Sequence, residues 1–277
     1  MGGRGGCLRD PVILSPSHSL PVLLEFRRMR VLAGTSGYSY KEWKGSFYPE
    51  DLPADEMLRY YAERLSAVEI NNTFYRMPKA DVLARWAEHV PDGFRFALKA
   101  SQQITHRKRL KDAADPVAHF FKVAVTLGDR MGPVLFQLPP NLKKDLPRLS
   151  EFLAVLPPAS RCAFEFRHES WFEDDVYEAL RGGSCALCVA EDEDLATPWV
   201  ATTGWGYLRL RRQDYGKEDL SDRAGKLLAQ PWNEAYVFFK HEEGGMGPKL
   251  AEELTRILGT GGLEPENVEI PPAPLAC

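Results

Sequence analysis

The sequence predicts a single (β/α)8 TIM barrel, and two observations support the prediction. From residue 30 onward, strand-like and helix-like segments alternate through eight units over roughly 230 residues, which is the length and order typical of a closed parallel barrel. In the clearest strand-like segments, large apolar side chains take one face and polar side chains collect on the other face toward the carboxyl end. A barrel accounts for this pattern, because one face of each strand meets the helices and the other faces the lumen.

The elements follow in order along the chain. Strands are predicted at residues 31–35, 67–71, 94–99, 134–138, 163–167, 186–190, 207–211 and 236–240. Apolar side chains at helical spacing predict helices at residues 55–65, 80–89, 116–127, 146–156, 173–180 and 247–258. An open doubly wound sheet is the alternative, but its first strand usually leads into a Gly-rich phosphate turn. Here the first strand leads into GTSGYSY, which lacks that fingerprint.

The fifth strand locates the predicted site. Phe164 and Phe166 share one face of this strand, whereas Glu165 and Arg167 share the other with Ala163. An unpaired charge in the lumen of a barrel would cost several kcal/mol. The charged side chains are therefore expected in pairs or near the open mouth, and barrels of this kind place their sites at the carboxyl ends of the strands.

Overall composition favours neither a nucleic-acid-binding nor a membrane protein. The formal net charge of −4 gives no overall attraction to nucleic acid or to an anionic membrane. No apolar run approaches the roughly 20 residues of a membrane helix, so no membrane association is predicted. The five scattered cysteines suit a reducing cytoplasm. The odd spacing of Cys185 and Cys188 places them on opposite faces of one strand, which favours packed small residues over a redox or zinc half-site.

Three segments make up the predicted domain organisation. Residues 1–28 are expected to form a disordered amino-terminal extension, with Met29 as an alternative start. Residues 30–258 form the barrel domain, without internal repeats or a second domain. Residues 259–277 are rich in Gly and Pro and are expected to form a loose carboxyl-terminal tail.

Two carboxylates are candidates for acid/base catalysis. Glu69 on the second strand and Glu165 on the fifth strand lie on roughly opposite sides of the predicted ring. Two carboxyl groups across a pocket serve as acid and base in glycoside hydrolysis, for example. In the alternative interpretation each carboxylate pairs with a neighbouring base, as structural ion-pair networks do. Glu165 would then pair with Arg209 or Arg167, and Glu69 with Lys99.

Basic side chains at the strand ends predict a small anionic ligand. Arginine forks suit phosphate and carboxylate groups. The alternative is internal compensation of the bases by Glu69, Glu165 and Asp192. The predicted substrate-binding residues are Asn71, Thr73, Tyr75, Lys99, His106, Gln137, Arg167, Trp171, Asp192, Arg209, Arg211 and Lys240, and the predicted catalytic residues are Glu165, Glu69 and His168.

No cofactor is predicted, and a divalent metal is the less favoured alternative. A nuclease-type centre needs several His and carboxylate ligands at the mouth, and its candidates here would be Glu69, His106, Glu165, His168 and His241. The chain contains six His, and each candidate lies near Lys or Arg, whose charge disfavours a bound cation. His106 and His168 are therefore expected to orient or bind the ligand.

Nucleic acid is the alternative partner. The loop after the first strand mixes five aromatic residues with Lys41 and Lys44, and the loop at residues 106–111 is basic. Aromatics interleaved with bases can stack on nucleobases and hold phosphates. The favoured interpretation is nevertheless a packed lid and a solvated basic loop.

Several motifs in this order resemble the YecE-like family, a family of unknown function. The matching segments are GTSGY at 34–38, FYP at 47–49, EINNTFY at 69–75, TH at 105–106, GPVLFQLPP at 132–140, EFRH at 165–168, SW at 170–171 and YLRL at 207–210. The resemblance covers residues 31–258 and implies a (β/α)8 barrel, but it brings no established reaction. The similarity of such proteins to metal-dependent endonuclease and sugar-isomerase barrels is one of fold.

The chain departs from the pattern of that family at the mouth. Tyr38 stands where Trp is usual, Arg211 and Arg212 stand where His-Gly is common, and Lys240 and His241 stand where Asn-Asn is common. These changes make the mouth more basic. Three hypotheses remain open: a hydrolase or lyase acting on an anionic or phosphorylated small molecule, a nucleic-acid-processing or -binding protein, and a non-catalytic ligand sensor.

Overall fold

The computed structural model describes residues 1–2, 29–192, 195–212, 214–241 and 243–259. The predicted carboxyl-terminal tail beyond Gly259 and most of the predicted amino-terminal extension lie outside the described residues. Eight parallel strands are hydrogen-bonded in sequence order, and the first strand pairs with the eighth to close a barrel. The predicted single (β/α)8 TIM barrel is thereby confirmed.

The eight strands overlap all eight predicted segments. They are β1 (Arg30–Ser36), β2 (Ala67–Ile70), β3 (Arg95–Lys99), β4 (Met131–Gln137), β5 (Cys162–Glu165), β6 (Ala186–Glu191), β7 (Trp205–Leu210) and β8 (Glu234–Phe239). Several predicted strands extend one or two residues too far at the carboxyl end, to Asn71, Arg167, Arg211 and Lys240. Those residues belong to the loops of the mouth, where the parallel pairing has ended.

The described residues form eight α-helices, two of them between β2 and β3 and one after each of β1, β3, β4, β5, β7 and β8. They are α1 (Met57–Ala62), α2 (Asn72–Tyr75), α3 (Ala80–Glu88), α4 (Ala114–Ala124), α5 (Leu146–Leu153), α6 (Asp174–Gly182), α7 (Lys217–Leu228) and α8 (Met246–Gly259). The short α2 and the long α7 were not predicted. Only Leu220, Ala224 and Leu227 of α7 are buried, so its apolar stripe is too sparse to stand out in the sequence. Among the described residues, no helix combines the length and apolar character that crossing a membrane requires.

The alternation predicted along the strands separates two layers. The lower lumen is filled by small and aromatic side chains: Leu32, Ala67, Ala97, Leu135, Ala163, Ala186, Cys188, Ala190, Tyr207, Tyr236 and Phe238. Alternate residues, such as Val68, Phe96 and Phe164, join the larger layer between strands and helices. Cys185 lies in this outer layer while Cys188 lies in the lumen, as their spacing predicts.

Strand register sets which side chains meet above the apolar lumen. Ser36 is level with Glu69 across β1 and β2, and Gln137 is level with Glu165 across β4 and β5. On β7, Arg209 lies two residues above Tyr207. Because side chains repeat every second residue along a strand, this register delivers a ring of polar groups to the carboxyl-terminal mouth.

Candidate functional site

Arg209 joins the two carboxylates predicted as an acid/base pair. Its Nη1 lies 2.6 Å from Oε2 of Glu165, and its Nη2 lies 2.8 Å from Oε1 of Glu69. The guanidinium and both carboxylates are buried. The alternative stated for Glu165, pairing with Arg209, is the arrangement observed. Glu69 pairs with Arg209 as well, rather than with Lys99.

Each carboxylate accepts further hydrogen bonds. Glu69 accepts from Ser36 Oγ at 2.7 Å and from Tyr207 Oη at 2.7 Å. Glu165 accepts from Gln137 Nε2 at 2.9 Å and from Arg211 Nη2 at 3.0 Å. These partners come from β1, β4 and the end of β7, so the floor of the mouth is a single network that spans the ring.

The network keeps both carboxylates ionised. Burial alone would raise the pKa of Glu165, but the charges of Arg209 and Arg211 outweigh burial and lower it to about 2. Burial also opposes ionisation of Glu69, yet Arg209 and the hydroxyls of Ser36 and Tyr207 hold its pKa below the usual range. Neither group carries a proton at neutral pH, so neither is suited to the role of a general acid.

A second tier of charge lies nearer to solvent. Asp192 accepts from Arg167 Nη2 at 2.9 Å and lies 3.0 Å from Arg211 Nη2. The side chain of Arg167 is 35% exposed and that of Asp192 is 27% exposed, whereas Glu165 below them is fully buried. Arg211 links the tiers because it contacts both Glu165 and Asp192.

Charge within this network is balanced, and two lysines remain beside it. Three arginines, Arg167, Arg209 and Arg211, face three carboxylates, Glu69, Glu165 and Asp192. Within the described part of the chain, no carboxylate lies within the 4.0 Å ion-pair limit of Lys99 or Lys240. Lys240 is exposed just past β8, and its charge acts on Lys99. Among the described residues, the mouth therefore carries more positive than negative charge.

Lys99 lies at the end of β3 against an aromatic ring. Its Nζ is 4.4 Å from the centroid of the Phe74 ring, and the ring of His106 contacts the same phenyl group edge-on at 4.9 Å between centroids. Burial, together with the charges of Arg209 and Lys240, lowers the pKa of Lys99 to about 8 despite Glu69 and Glu165. The pKa of His106 is lowered as well, by burial and then by Lys99 and Arg167.

Two other predicted site residues, Trp171 and Thr73, are buried. Trp171 is fully buried, stacks on Phe166 and donates its Nε1–H to Leu142 O, so it has no surface to offer. The hydroxyl of buried Thr73 bonds to the carbonyls of Ile70 and Lys99 and holds the ends of β2 and β3 together. Both side chains support the mouth instead of lining it.

The remaining predicted residues lie at the rim. Tyr75 is 72% exposed at the end of α2. His168 is half-buried, and its Nδ1 accepts from Ser170 N–H at 3.1 Å, which places the proton of the neutral ring on Nε2. Asn71 borders a small cavity of about 140 Å³ between the first loop and the end of β2, together with Tyr38, Tyr40 and Trp86.

The aromatic loop after β1 is packed into the fold. Trp43, Phe47 and Tyr48 are all buried, and their rings contact one another at centroid distances of 4.9–6.0 Å. The favoured interpretation of this loop was a packed lid, and these three rings are not available to stack on nucleobases. The five-residue turn of π-helix at Gln103–Arg107 carries the basic loop.

No metal centre is formed by the described residues, in which no three His, Cys, Asp or Glu side chains are grouped so that they could hold a metal ion. Glu69 and Glu165, two of the candidate metal ligands, form ion pairs with Arg209. His241 Nε2 bonds to the carbonyl of Arg212 instead.

The amino-terminal end of the barrel has a roomier cavity than the one beside Asn71. It measures about 370 Å³ and is bordered by Leu156, Ser160, Arg161, Cys185 and Trp205. These residues precede or open β5, β6 and β7. Since sites in such barrels lie at the opposite, carboxyl-terminal face, the chemistry of the mouth is the better guide to function than cavity size.

Fold and site together define the class: this is a (β/α)8 barrel protein whose mouth is built on a buried arginine–carboxylate network. The chain belongs to the family described as "Protein of unknown function DUF72", whose sequence profile matches residues 32–274. The suspected YecE-like family is thereby confirmed. The match continues past residue 258, into the segment predicted as a tail.

Curated relatives similar to this chain include two proteins of the UPF0759 family. It is 36% identical to UPF0759 protein YecE of Escherichia coli over 116 residues, which is 42% of this chain and 43% of that protein. It is 30% identical to UPF0759 protein YunF of Bacillus subtilis over 81% of this chain and 95% of that protein.

Similar solved structures include two of DUF72 family proteins. The one from Thermotoga maritima matches with a TM-score of 0.73 and 27% identity, covering 83% of this chain and 99% of that one. The one from Enterococcus faecalis matches with a TM-score of 0.69 and 16% identity, covering 84% of this chain and 99% of that one; at this identity it supports the fold alone.

Three residues of the site were missed at the sequence level: Ser36, Phe74 and Tyr207. Ser36 and Tyr207 hydrogen-bond Glu69, and Phe74 contacts both Lys99 and His106. The alternation of β7 does place Tyr207 on the same face as Arg209, so that signal was present. Nothing in the sequence pairs Ser36 or Phe74 with its partner, because those contacts join different βα units.

Proposed function

We propose that the mouth of the barrel binds a small molecule carrying a phosphate or carboxylate group, and that the protein is an enzyme, a hydrolase or lyase, acting on it. One observation supports this above all: three arginines balance three carboxylates, and Lys99 and Lys240 remain without a carboxylate partner among the described residues. An anion would complete the charge balance and would gain charge-assisted hydrogen bonds.

The charged side chains of the mouth would have different roles in binding the anion. Glu69 and Glu165 hold Arg209 and Arg211 in place, so they act as positioning residues more readily than as proton donors. Arg167, partly exposed at the rim, and Lys240 are the groups that an entering anion meets first. Lys99 is half-buried, and its ammonium group lies over the ring of Phe74.

Thermal unfolding with inorganic phosphate tests the binding step. Phosphate is expected to raise Tm relative to chloride at the same ionic strength, because a ligand that binds only the folded state stabilises it. Lys240→Gln removes one of the two lysine charges and should weaken phosphate binding by about tenfold, since a hydrogen bond to a charged group contributes roughly 1.5–3 kcal/mol. Lys122→Gln is the matched control, since Lys122 is an exposed lysine in the last turn of α4.

The outcomes separate the hypotheses. An equal response to phosphate and chloride, or an equal loss in both variants, would overturn the anion site. A bound phosphate ester or small carboxylate that is never converted would favour the ligand sensor over the enzyme. Affinity for DNA or RNA that falls steeply with salt would support the nucleic-acid alternative, and a fall in Tm with EDTA would revive the metal.

A further inference from the structure

Lys99 differs from the other cations of the mouth in its surroundings. Arg209 and Arg211 form ion pairs with the buried carboxylates at 2.6–3.0 Å. The Nζ of Lys99 instead lies 4.4 Å from the centroid of the Phe74 ring. Its side chain rises from the last residue of β3 and is half-buried. Among the described residues no carboxylate pairs with its ammonium group, and the ring face gives the protonated form only a cation–π contact, which is weaker than a buried ion pair.

The charges around Lys99 favour the neutral amine. Burial and the charges of Arg209 and Lys240 lower its pKa to about 8, and Glu69 and Glu165 oppose them only in part, because both already compensate Arg209. At pH 7 roughly a tenth of such an amine is unprotonated, compared with less than about a thousandth for an ordinary lysine. Desolvated lysines beside other cations are the ones that proteins use as nucleophiles.

We propose that Lys99 is a nucleophile that forms a Schiff base with an aldehyde or ketone whose phosphate or carboxylate group is held by the neighbouring cations. This inference rests on the proposed function, and it names the substrate class: an anionic carbonyl compound. It also favours the lyase over the hydrolase, because an iminium withdraws electrons from the adjacent carbon–carbon or carbon–hydrogen bond and so promotes its cleavage.

Atoms and electrons balance in the formation and hydrolysis of the Schiff base. The lone pair of the neutral Nζ attacks the carbonyl carbon, a C–N bond forms, and the carbonyl oxygen becomes the hydroxyl of a carbinolamine after a proton moves from nitrogen to oxygen. Protonation of that hydroxyl releases water and leaves the protonated C=N group. Hydrolysis by one water returns the amine and the carbonyl. No oxidant or reductant takes part.

Borohydride trapping tests the proposal on the full chain. The probe is pyridoxal 5′-phosphate, an aldehyde that carries a phosphate; borohydride reduces its imine to a stable amine, and peptide mapping by mass spectrometry locates it. Lys99 is expected to be labelled at least about tenfold faster than exposed Lys122, in keeping with its larger unprotonated fraction. Inorganic phosphate should slow labelling at Lys99 and leave Lys122 unchanged.

The pH profile and one variant sharpen the test. Labelling of Lys99 should rise with a midpoint near pH 8, because burial lowers its pKa first and the charges of Arg209, Glu69, Glu165 and Lys240 around it then adjust it. Lys99→Arg removes the nucleophile, so the fast phase of labelling should disappear and only the slow labelling of exposed lysines such as Lys240 and Lys122 should remain.

The proposed anion site and the proposed Schiff base would be refuted by different results. If phosphate stabilises the protein but label spreads over lysines by exposure, the Schiff base is refuted and the anion site stands. If Lys99 is labelled selectively but phosphate neither competes nor stabilises, the anion site is refuted and with it the proposed substrate class. Absence of both results overturns both proposals.

Discussion

Arg209 Nη1 lies 2.6 Å from Glu165 Oε2, and both groups are buried in the lumen of the barrel. The same guanidinium holds Glu69 through its other nitrogen at 2.8 Å. One cation thus bridges two carboxylates that come from opposite sides of an eight-stranded ring.

Arg209→Met should destabilise the protein strongly. Removing the shared cation leaves two buried carboxylates without their main counter-charge, which is expected to cost roughly 3–5 kcal/mol in the free energy of unfolding. Urea denaturation at neutral pH measures this loss. Arg256→Met, which breaks an exposed pair with Glu253 on α8, is the matched control and should leave stability nearly unchanged, because solvent screens an exposed ion pair. Similar losses in the two variants would contradict the central role of Arg209.

The pH dependence of stability should report Glu165. Its pKa is about 2 in the folded protein and lies below the ordinary value of 4.5, so its contribution is fully present above about pH 4.5. That contribution is lost as pH falls toward 2, because the unfolded state then binds the proton more tightly. Denaturation of the wild type between neutral and acid pH should show this decline, and Glu165→Gln should have a shallower one. If stability fell equally with pH in both proteins, Glu165 would not be the group responsible for the decline.

Glu165→Gln should also strengthen anion binding if the protein is stable enough to assay. The amide keeps the shape of the side chain but removes one negative charge from the mouth, so the excess of positive charge grows. Isothermal titration with inorganic phosphate, compared with wild type at the same ionic strength, measures the effect. A weaker affinity would mean that the geometry held by Glu165 matters more than its charge.

Tyr207→Phe isolates a single hydrogen bond of the floor. The phenol donates to Glu69 Oε2 at 2.7 Å inside the lumen, so losing it leaves the carboxylate with one donor fewer and should cost about 1–3 kcal/mol. Tyr75→Phe, at a side chain that is 72% exposed, should be nearly neutral. Chemical denaturation of both variants provides the comparison, and a neutral Tyr207→Phe would show that Glu69 does not need this donor.

Two glycines predict opposite outcomes for the same substitution. A Cβ at Gly34 would lie 1.8 Å from the carbonyl oxygen of Ala67, where β1 and β2 pair, so Gly34→Ala should prevent correct folding. Gly225 lies within α7, and a methyl group added there would meet nothing within 4 Å outside the helix's own backbone. Gly225→Ala should therefore stabilise the protein by roughly 0.5–1 kcal/mol. Circular dichroism and thermal unfolding distinguish the two, and a well-folded Gly34→Ala protein would contradict the close approach.

Local sequence pattern was sufficient to establish the barrel, its strands and the end at which charge collects. Alternation along a strand is a local property, so residues such as Val68 and Glu69 reveal their faces without any knowledge of their neighbours. The same rule separated Cys185 from Cys188. It failed for α7, since three buried positions in a charged helix give too weak a signal.

The pairing of the charges, in contrast, follows from closure of the ring. Glu69, Glu165 and Arg209 come from β2, β5 and β7, and closure brings them within hydrogen-bonding distance, while Lys99 from β3 remains beside Phe74 without a carboxylate partner among the described residues. The physical reason is that ion pairing depends on distances across the lumen, which are set by strand register and barrel closure. Alternation along a strand predicts the face on which a side chain lies, whereas the folded barrel determines which side chain it pairs with.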